Sequence, residues 1–249
     1  MRMNSRGPLS GSTKAYCRAS ALLAAVAVFV SPQLTFAQAS NVVYVQTNDP
    51  TPGQNAVDAF RRDTATGCLT RIGRYPTGGT GMYNFDDRIG PDDHAQEVAI
   101  SPDRKYLLTV NEGSDSIAVF SINSDGSLTA VNGSPFPSNG IQPASIGFTP
   151  DNKVYVVNQN GDPNRPNNVP PNYTGFRLVP GNGRLVPIPF STVSLPLHSF
   201  PTQALVSTDG KFLFGDLFLA TAWAGPPAPI SCPRLDHCST PSRWTRMAG

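Results

Sequence analysis

The chain has 249 residues, only 14% of them charged, with 22 glycines and 25 prolines. So few charges exclude a disordered polyelectrolyte and so many helix breakers exclude a helical bundle, which leaves an all-β protein rich in tight turns. The formal charge of +2 is concentrated at the N-terminus: without residues 1–39 the chain holds fifteen basic against seventeen acidic side chains, so no basic stripe remains for nucleic acid.

Arg2, Arg6, Lys14 and Arg18 precede an apolar run, Ala19 to Val30, that is too short to span a bilayer comfortably and ends at Ser31-Pro32. Ala37-Gln38-Ala39 supplies small residues at the cleavage positions of a secretory signal peptide, so residues 1–39 are read as a leader and the protein as secreted or periplasmic. Cys17 lies before the apolar run and is not a lipid-attachment cysteine. No later stretch is long and apolar enough for a membrane helix.

A short strand, Val42 to Val45, opens the first unit, followed by a polar loop from Gln46 to Gln54 and a strand leading to Phe60. The segment Phe60 to Leu69 is then a hairpin, repeated from Phe120 to Leu128 and from Phe176 to Leu185. Asp125-Gly126 and Asn182-Gly183 are strong turn dipeptides, because glycine accepts positive φ at no steric cost. The Phe before each turn and the Leu after it are expected at paired positions, packing between neighbouring units. A Gly- and Asp-rich loop, Gly78 to His94, leads into the second unit, Ala95 to about Asn139.

A second pattern runs in phase with the first. Ser101-Pro102-Asp103 before Lys105-Tyr106-Leu107-Leu108 recurs as Thr149-Pro150-Asp151 before Lys153-Val154-Tyr155-Val156, and as Ser207-Thr208-Asp209 before Lys211-Phe212-Leu213-Phe214. The starts lie 48 and 58 residues apart, close to the length of a four-stranded propeller blade. The third unit starts at Ile141 and carries a Pro- and Asn-rich insertion, Asn158 to Asn172, that cannot be a strand because proline removes ladder donors. A fourth begins near Phe200. The expected fold is therefore an incomplete β-propeller over residues 40–218, with about four blades.

After Phe218 the pattern vanishes, and residues 219–249 gather Trp223, Trp244, Cys232 and Cys238 with neither a strand nor a helix period. The expectation for this tail is disorder or a frame-shifted product, to be tested by translating the downstream DNA in all frames. Cys232, His237 and Cys238 lack the second ligand pair of a structural zinc site. Asp86-Asp87 and Asp92-Asp93 lack the alternating spacing of a calcium loop and read as a solvated loop, so no metal and no cofactor is expected. Three cysteines follow the leader, Cys68, Cys232 and Cys238, and an odd number cannot pair completely within the molecule.

The Ser-Pro-Asp-x-Lys-Tyr turns, Val-Val-Asn strands and Phe-x(8)-Leu hairpins resemble the lactonase family of seven-bladed β-propellers, which includes propeller-type 6-phosphogluconolactonases and YVTN-repeat proteins. The resemblance covers Val42 to about Phe214. It implies hydrolysis of a sugar lactone in an axial pocket lined by His, Arg and Glu. The family's His-Ala-His-Gln stretch reads His94-Ala95-Gln96-Glu97 here, and Glu112 stands where the next strand commonly ends in Asp. Ala144-Ser145 replaces an Arg-His pair, Gln159 a Glu and Gln203 another Glu; losing the Arg removes a charge that would hold a phosphate. The candidate acid–base residues are His94, Glu97 and Glu112. The rival expectation is a non-catalytic propeller whose rim, including the 158–172 loop, binds a glycan or protein of the cell envelope, and a third is an inactive fragment.

Overall fold

The computed structural model describes residues 41–82, 96–161, 169–197 and 199–218. The leader, His94, His198, the two Asp pairs of the 78–94 loop and the 219–249 tail with Cys232, His237 and Cys238 lie outside the described residues.

The polar turns decide where each sheet folds back. Ser101 Oγ donates to Asp103 Oδ1 at 2.6 Å and accepts the Tyr106 N–H, while Asp103 Oδ1 also accepts the Lys105 N–H. Ser207, Asp209, Lys211 and Phe212 repeat the same four-group arrangement. Thr149 and Asp151 build a version one residue shorter, with Lys153 N–H reaching Thr149 Oγ1. All three turns need one left-handed residue, which is Arg104, Asn152 and Gly210 in turn. The Ser/Thr and Asp are thus turn chemistry, satisfying backbone donors that no strand would use.

Between these turns the β-branched and aromatic runs form antiparallel meanders. The first sheet is β1 (Val42–Gln46), β2 (Ala56–Arg62) and β3 (Leu69–Pro76), in that order. The second is β4 (Val98–Ile100), β5 (Tyr106–Asn111), β6 (Ser116–Ile122) and β7 (Leu128–Ala130), with β8 (Phe136–Pro137) on β6. The third repeats it as β9 (Pro143–Phe148), β10 (Lys153–Asn158), β11 (Asn172–Leu178) and β12 (Leu185–Pro187), with β13 (Val193–Ser194) on β11. A fourth unit holds two short pairs, β14 (Phe200–Pro201) with β17 (Leu217–Phe218) and β15 (Leu205–Val206) with β16 (Leu213–Phe214). This is the all-β blade architecture the repeats predict.

The register corrects one detail. Phe120 faces Ala130 and Leu128 faces Ile122, because Asn123 and Ser127 close the turn directly beyond Ile122. Phe and Leu are therefore diagonal neighbours, two positions apart on one face. They still share the cluster between blades one and two, with Val57, Leu107 and Ala118. Phe176 and Leu185 join the cluster between blades two and three, with Leu108, Val110, Ile117, Val119 and Ile146. Truncating Phe120 or Phe176 to Ala removes an anchor of roughly 3–5 kcal/mol.

Antiparallel pairing puts the Ser/Thr–Asp turns and the outer hairpin turns at one end of each blade, and the turns after the Asn-ended strands with the blade-to-blade connections at the other. Contacts between blades respect that division. At the turn end, the outer hairpin tips of the second and third blades dock on the blade before: Tyr44 Oη donates to the Gly126 carbonyl at 2.9 Å and Arg61 to the Asp125 carbonyl at 2.7 Å. A Cβ at Gly126 would meet Val42, and one at Gly183 would meet Tyr106.

Two outcomes follow from these contacts. Phe190 sits at φ +60° with 74% of its surface exposed, at the place where the second blade has Gly133 at φ +88°. Phe190→Gly is expected to raise stability by about 1 kcal/mol in urea unfolding, since the left-handed penalty exceeds the added chain entropy. Burial, and then Tyr75 and Asp125, push the Tyr44 phenol up to about 12. A raised folded value means its contribution is whole below the unfolded pKa of about 10 and is lost as pH climbs toward 12. Wild type should lose stability over that window, and Tyr44→Phe should flatten the loss.

Candidate functional site

The connection end is built around two asparagines. Asn111 closes β5 and Asn158 closes β10, both fully buried. Asn111 Oδ1 accepts from Asn55 of the previous blade at 2.8 Å, and its Nδ2 donates to Ser116. Asn158 Nδ2 donates to the Ser138 carbonyl of the previous blade and to Asn172 Oδ1 at 2.9 Å. Each asparagine packs against a glycine of the incoming connection so closely that a Cβ at Gly79 or Gly140 would fall 2.3 or 2.4 Å from its side chain. The preceding residues, Gly78 and Asn139, are both left-handed, at φ +75° and +60°. The two junctions are copies.

Pairing Val43, Leu107 and Val154 with Phe60, Phe120 and Phe176 sets the three blades in register. Asn48, Glu112 and Gln159 then occupy one position, immediately beyond the second strand. Glu112 is fully buried in a 3-10 turn, Glu112–Ser114, which the left-handed Asp115 ends. Gly113 N–H binds the Thr80 carbonyl, as Asn160 N–H binds that of Ile141 in the next junction. Gln159 is held by Gln142, whose Nε2 donates to Gln159 Oε1 at 3.0 Å and whose Oε1 accepts Gly161 N–H at 2.7 Å. Gln142 itself is anchored through its N–H to Asp115 at 2.8 Å.

Beside Glu112 the place of Gln142 is taken by Gly81, which brings no side chain. Asn48 fills the gap, its backbone and Oδ1 lying within 2.6 Å of where a Gly81 Cβ would stand. Asn48 Oδ1 accepts Met82 N–H at 2.8 Å, while its buried Nδ2 has no hydrogen-bond partner among the described residues. Gly81 therefore brings an amide from the first blade and a carboxylate from the second to one junction.

Glu97 enters from the inner strand, one residue before β4, and its carbonyl accepts Val110 N–H. It is half-buried and corresponds in register to Ser145, which accepts Ala204 N–H, and to Gln203, whose carbonyl accepts from Tyr173. The structure thus places Glu97 and Glu112 at the same end of one hairpin, while His94 lies outside the described residues. Sequence reading missed Asn48 and Gln142. The signal for Asn48 was available, since Phe60 fixes the register of the first strand. Gln142 carried none, because only the fold brings residue 142 against Gln159.

Such a set offers two carboxylates for proton transfer and amides for orientation. Among the described residues one cation, Arg74, lies near this end, and its guanidinium is turned to the Gln54 carbonyl and Asp49. Among the described residues, the amide N–H groups are the donors this end offers to an oxyanion. Among the described residues no cluster of His, Cys, Asp or Glu is arranged to hold a metal, and Cys68 is free and exposed.

Residues 33–163 match the family model described as "Lactonase, 7-bladed beta-propeller". The chain superposes on a Bacteroides uniformis protein provisionally assigned as a 6-phosphogluconolactonase, with TM-score 0.50 and 19% identity over 70% of this chain and 46% of that one. It superposes on the Pseudomonas aeruginosa periplasmic gluconolactonase with TM-score 0.51 and 19% identity over 73% of this chain and 48% of that one. It spans about half the length of these structures, and at such identity the likeness is one of fold. No curated protein matches the chain in sequence.

Gly140→Ala should cost about 1–3 kcal/mol in chemical denaturation, by forcing Asn158 out of its pocket. Pairing it with Asn158→Ala should recover part of that loss, and simple additivity of the two would show that the close approach is not what matters.

Proposed function

The chain belongs to the family of seven-bladed β-propeller lactonases, and on that premise we propose that it opens a sugar lactone with water at the connection end of its blades. The observation that carries this reading is Glu112, a carboxylate wholly buried at a strand end, followed by Gly113 packed on the Gly81 carbonyl, with Asn48 against Gly81. Family membership supports lactone chemistry, and the leader-like residues 1–39 support action outside the cytoplasm.

In this reading Glu112 takes a proton from water as the oxygen attacks the lactone carbonyl. Collapse of the tetrahedral intermediate breaks the ring C–O bond, and Glu97 or His94 returns a proton to the departing alkoxide. Asn48 Nδ2, buried with no hydrogen-bond partner among the described residues, is the donor this reading assigns to the oxyanion.

The test is pH-stat titration of the full chain against a panel of five- and six-membered lactones, since each turnover releases one proton. Glu112→Gln should lower kcat by about 10²–10⁴-fold, the span of a general base, with the thermal midpoint held near wild type. A flat wild-type response across the panel would sink the enzymatic reading and leave a rim that binds a glycan or protein.

A further inference from the structure

Each inner blade has a rearward face, packed on the blade before it, and a forward face, packed on the blade after. In the second blade Leu107, Phe120 and Leu128 face rearward, while Ala99, Tyr106, Leu108 and Val110 face forward. The fourth unit repeats this inner hairpin. Ser207 N–H binds the Phe212 carbonyl as Ser101 N–H binds that of Tyr106, and Leu205 pairs with Phe214 as Ala99 pairs with Leu108. Ala204 and Leu213 accordingly pack rearward in the cluster with the third blade, which leaves Leu205, Phe212 and Phe214 facing forward. Their counterparts in the second blade are buried, but these three are 47%, 44% and 47% exposed. The two phenyl rings lie 6.2 Å apart and form one apolar patch.

The first blade shows the converse. Leu69 pairs with Arg62 as Leu128 pairs with Ile122 and Leu185 with Leu178, so it belongs to the rearward face. Leu128 and Leu185 are buried, whereas Leu69 is 53% exposed, and Val45 on the same face is 48% exposed. Gly67, Gly126 and Gly183 each stand two residues before that leucine, all at positive φ. A Cβ at Gly126 or Gly183 would come 2.5 or 2.4 Å from Val42 or Tyr106 of the preceding blade, whereas one at Gly67 would stand in open space. Val42, Tyr106 and Phe212 hold one register position. Among the described residues the chain thus carries a tip with no seat and a seat with no tip, the two halves of a contact it makes twice within itself.

We propose that the rearward face of the first blade in one copy docks on the forward face of the fourth unit in a second copy, head to tail. Gly67 then lies against Phe212 as Gly126 lies against Val42, and Leu69 packs beside Phe214. The occupant is a second copy because blade packing demands a matched twist, strand register and left-handed tip glycine, and this chain supplies all three. Two arginines share the rearward face. Arg71 meets Asp58 at 2.6 Å, so its charge enters the contact paired, and Arg62 stands beside the tip at the rim with its head in water. Different surfaces meet, so the interface is heterologous.

The experiment measures the mass of the full chain in solution by light scattering across a dilution series. Wild type should show species of at least two chains that dissociate on dilution. Leu69→Asp alters the first-blade face and Phe214→Asp the fourth-unit face, both at exposed positions. Each should raise the concentration of half-association at least about tenfold while leaving the thermal midpoint near wild type. An equimolar mixture of the two variants is the decisive arm. Each variant keeps the face the other lacks, so one sound contact re-forms per pair and the mixture should stop at dimers. Cys68, exposed beside the tip, reads the same contact without any substitution: its alkylation, followed by peptide mass, should slow several-fold as wild-type concentration rises. A monomer at every concentration overturns the proposal. So does association that survives both substitutions, a mixture that restores nothing, or Cys68 alkylation indifferent to concentration.

Discussion

The contact between a strand-ending asparagine and a connection glycine is the constraint on which the rest depends. Asn111 against Gly79 and Asn158 against Gly140 leave no space for even a methyl group, so the backbone of each incoming connection is held to a fixed path. That path carries Gly81 to one side of Glu112 and Gln142 to one side of Gln159. A Cβ at either glycine would stand 2.3 or 2.4 Å from the asparagine, where ordinary contact begins at 3.4 Å, so the connection would have to give way by about 1 Å. The polar network beyond it would then come apart, and a half-satisfied buried network is costly.

The two junctions differ in how their buried polar groups are matched. In the Gln142–Gln159 junction amide meets amide, with the outer oxygen taken by Gly161, so donors and acceptors are matched by neutral groups. In the Gly81–Glu112 junction the matching partner is replaced by a glycine and the outer amide by a carboxylate. Burying a carboxylate is unfavourable and is seldom kept for stability alone. The same scaffold thus distinguishes the two sites through two substitutions on an otherwise repeated backbone.

Much of the fold was legible because the turns are chemical and the strands periodic. Ser101, Asp103 and Tyr106 announce a hairpin by the hydrogen bonds their side chains can make, and β-branched runs between such turns can only be strands. The error about Phe120 and Leu128 has a physical source: spacing in sequence does not say how many residues the turn consumes, and here it closes at Ile122. The site was half legible. Glu97 and Glu112 could be found from their places beside repeated motifs, whereas Gln142 acts across a junction and has no local pattern.

The hairpin tips that lean on the preceding blade give the molecule a direction in time. Gly126 packs on Val42 and Tyr44, and Gly183 on Tyr106 and Val131, so the tips of the second and third blades find their seats on chain made earlier. A ribosome delivers those seats in that order. Each blade can therefore be checked against a finished surface as it emerges, with no wait for a partner still to be synthesised. Reordering the blades by circular permutation would keep most of these contacts but would require at least one tip to exist before its seat. The cost of that change would appear in the yield of folded protein during synthesis and would be absent from the stability of molecules that had folded.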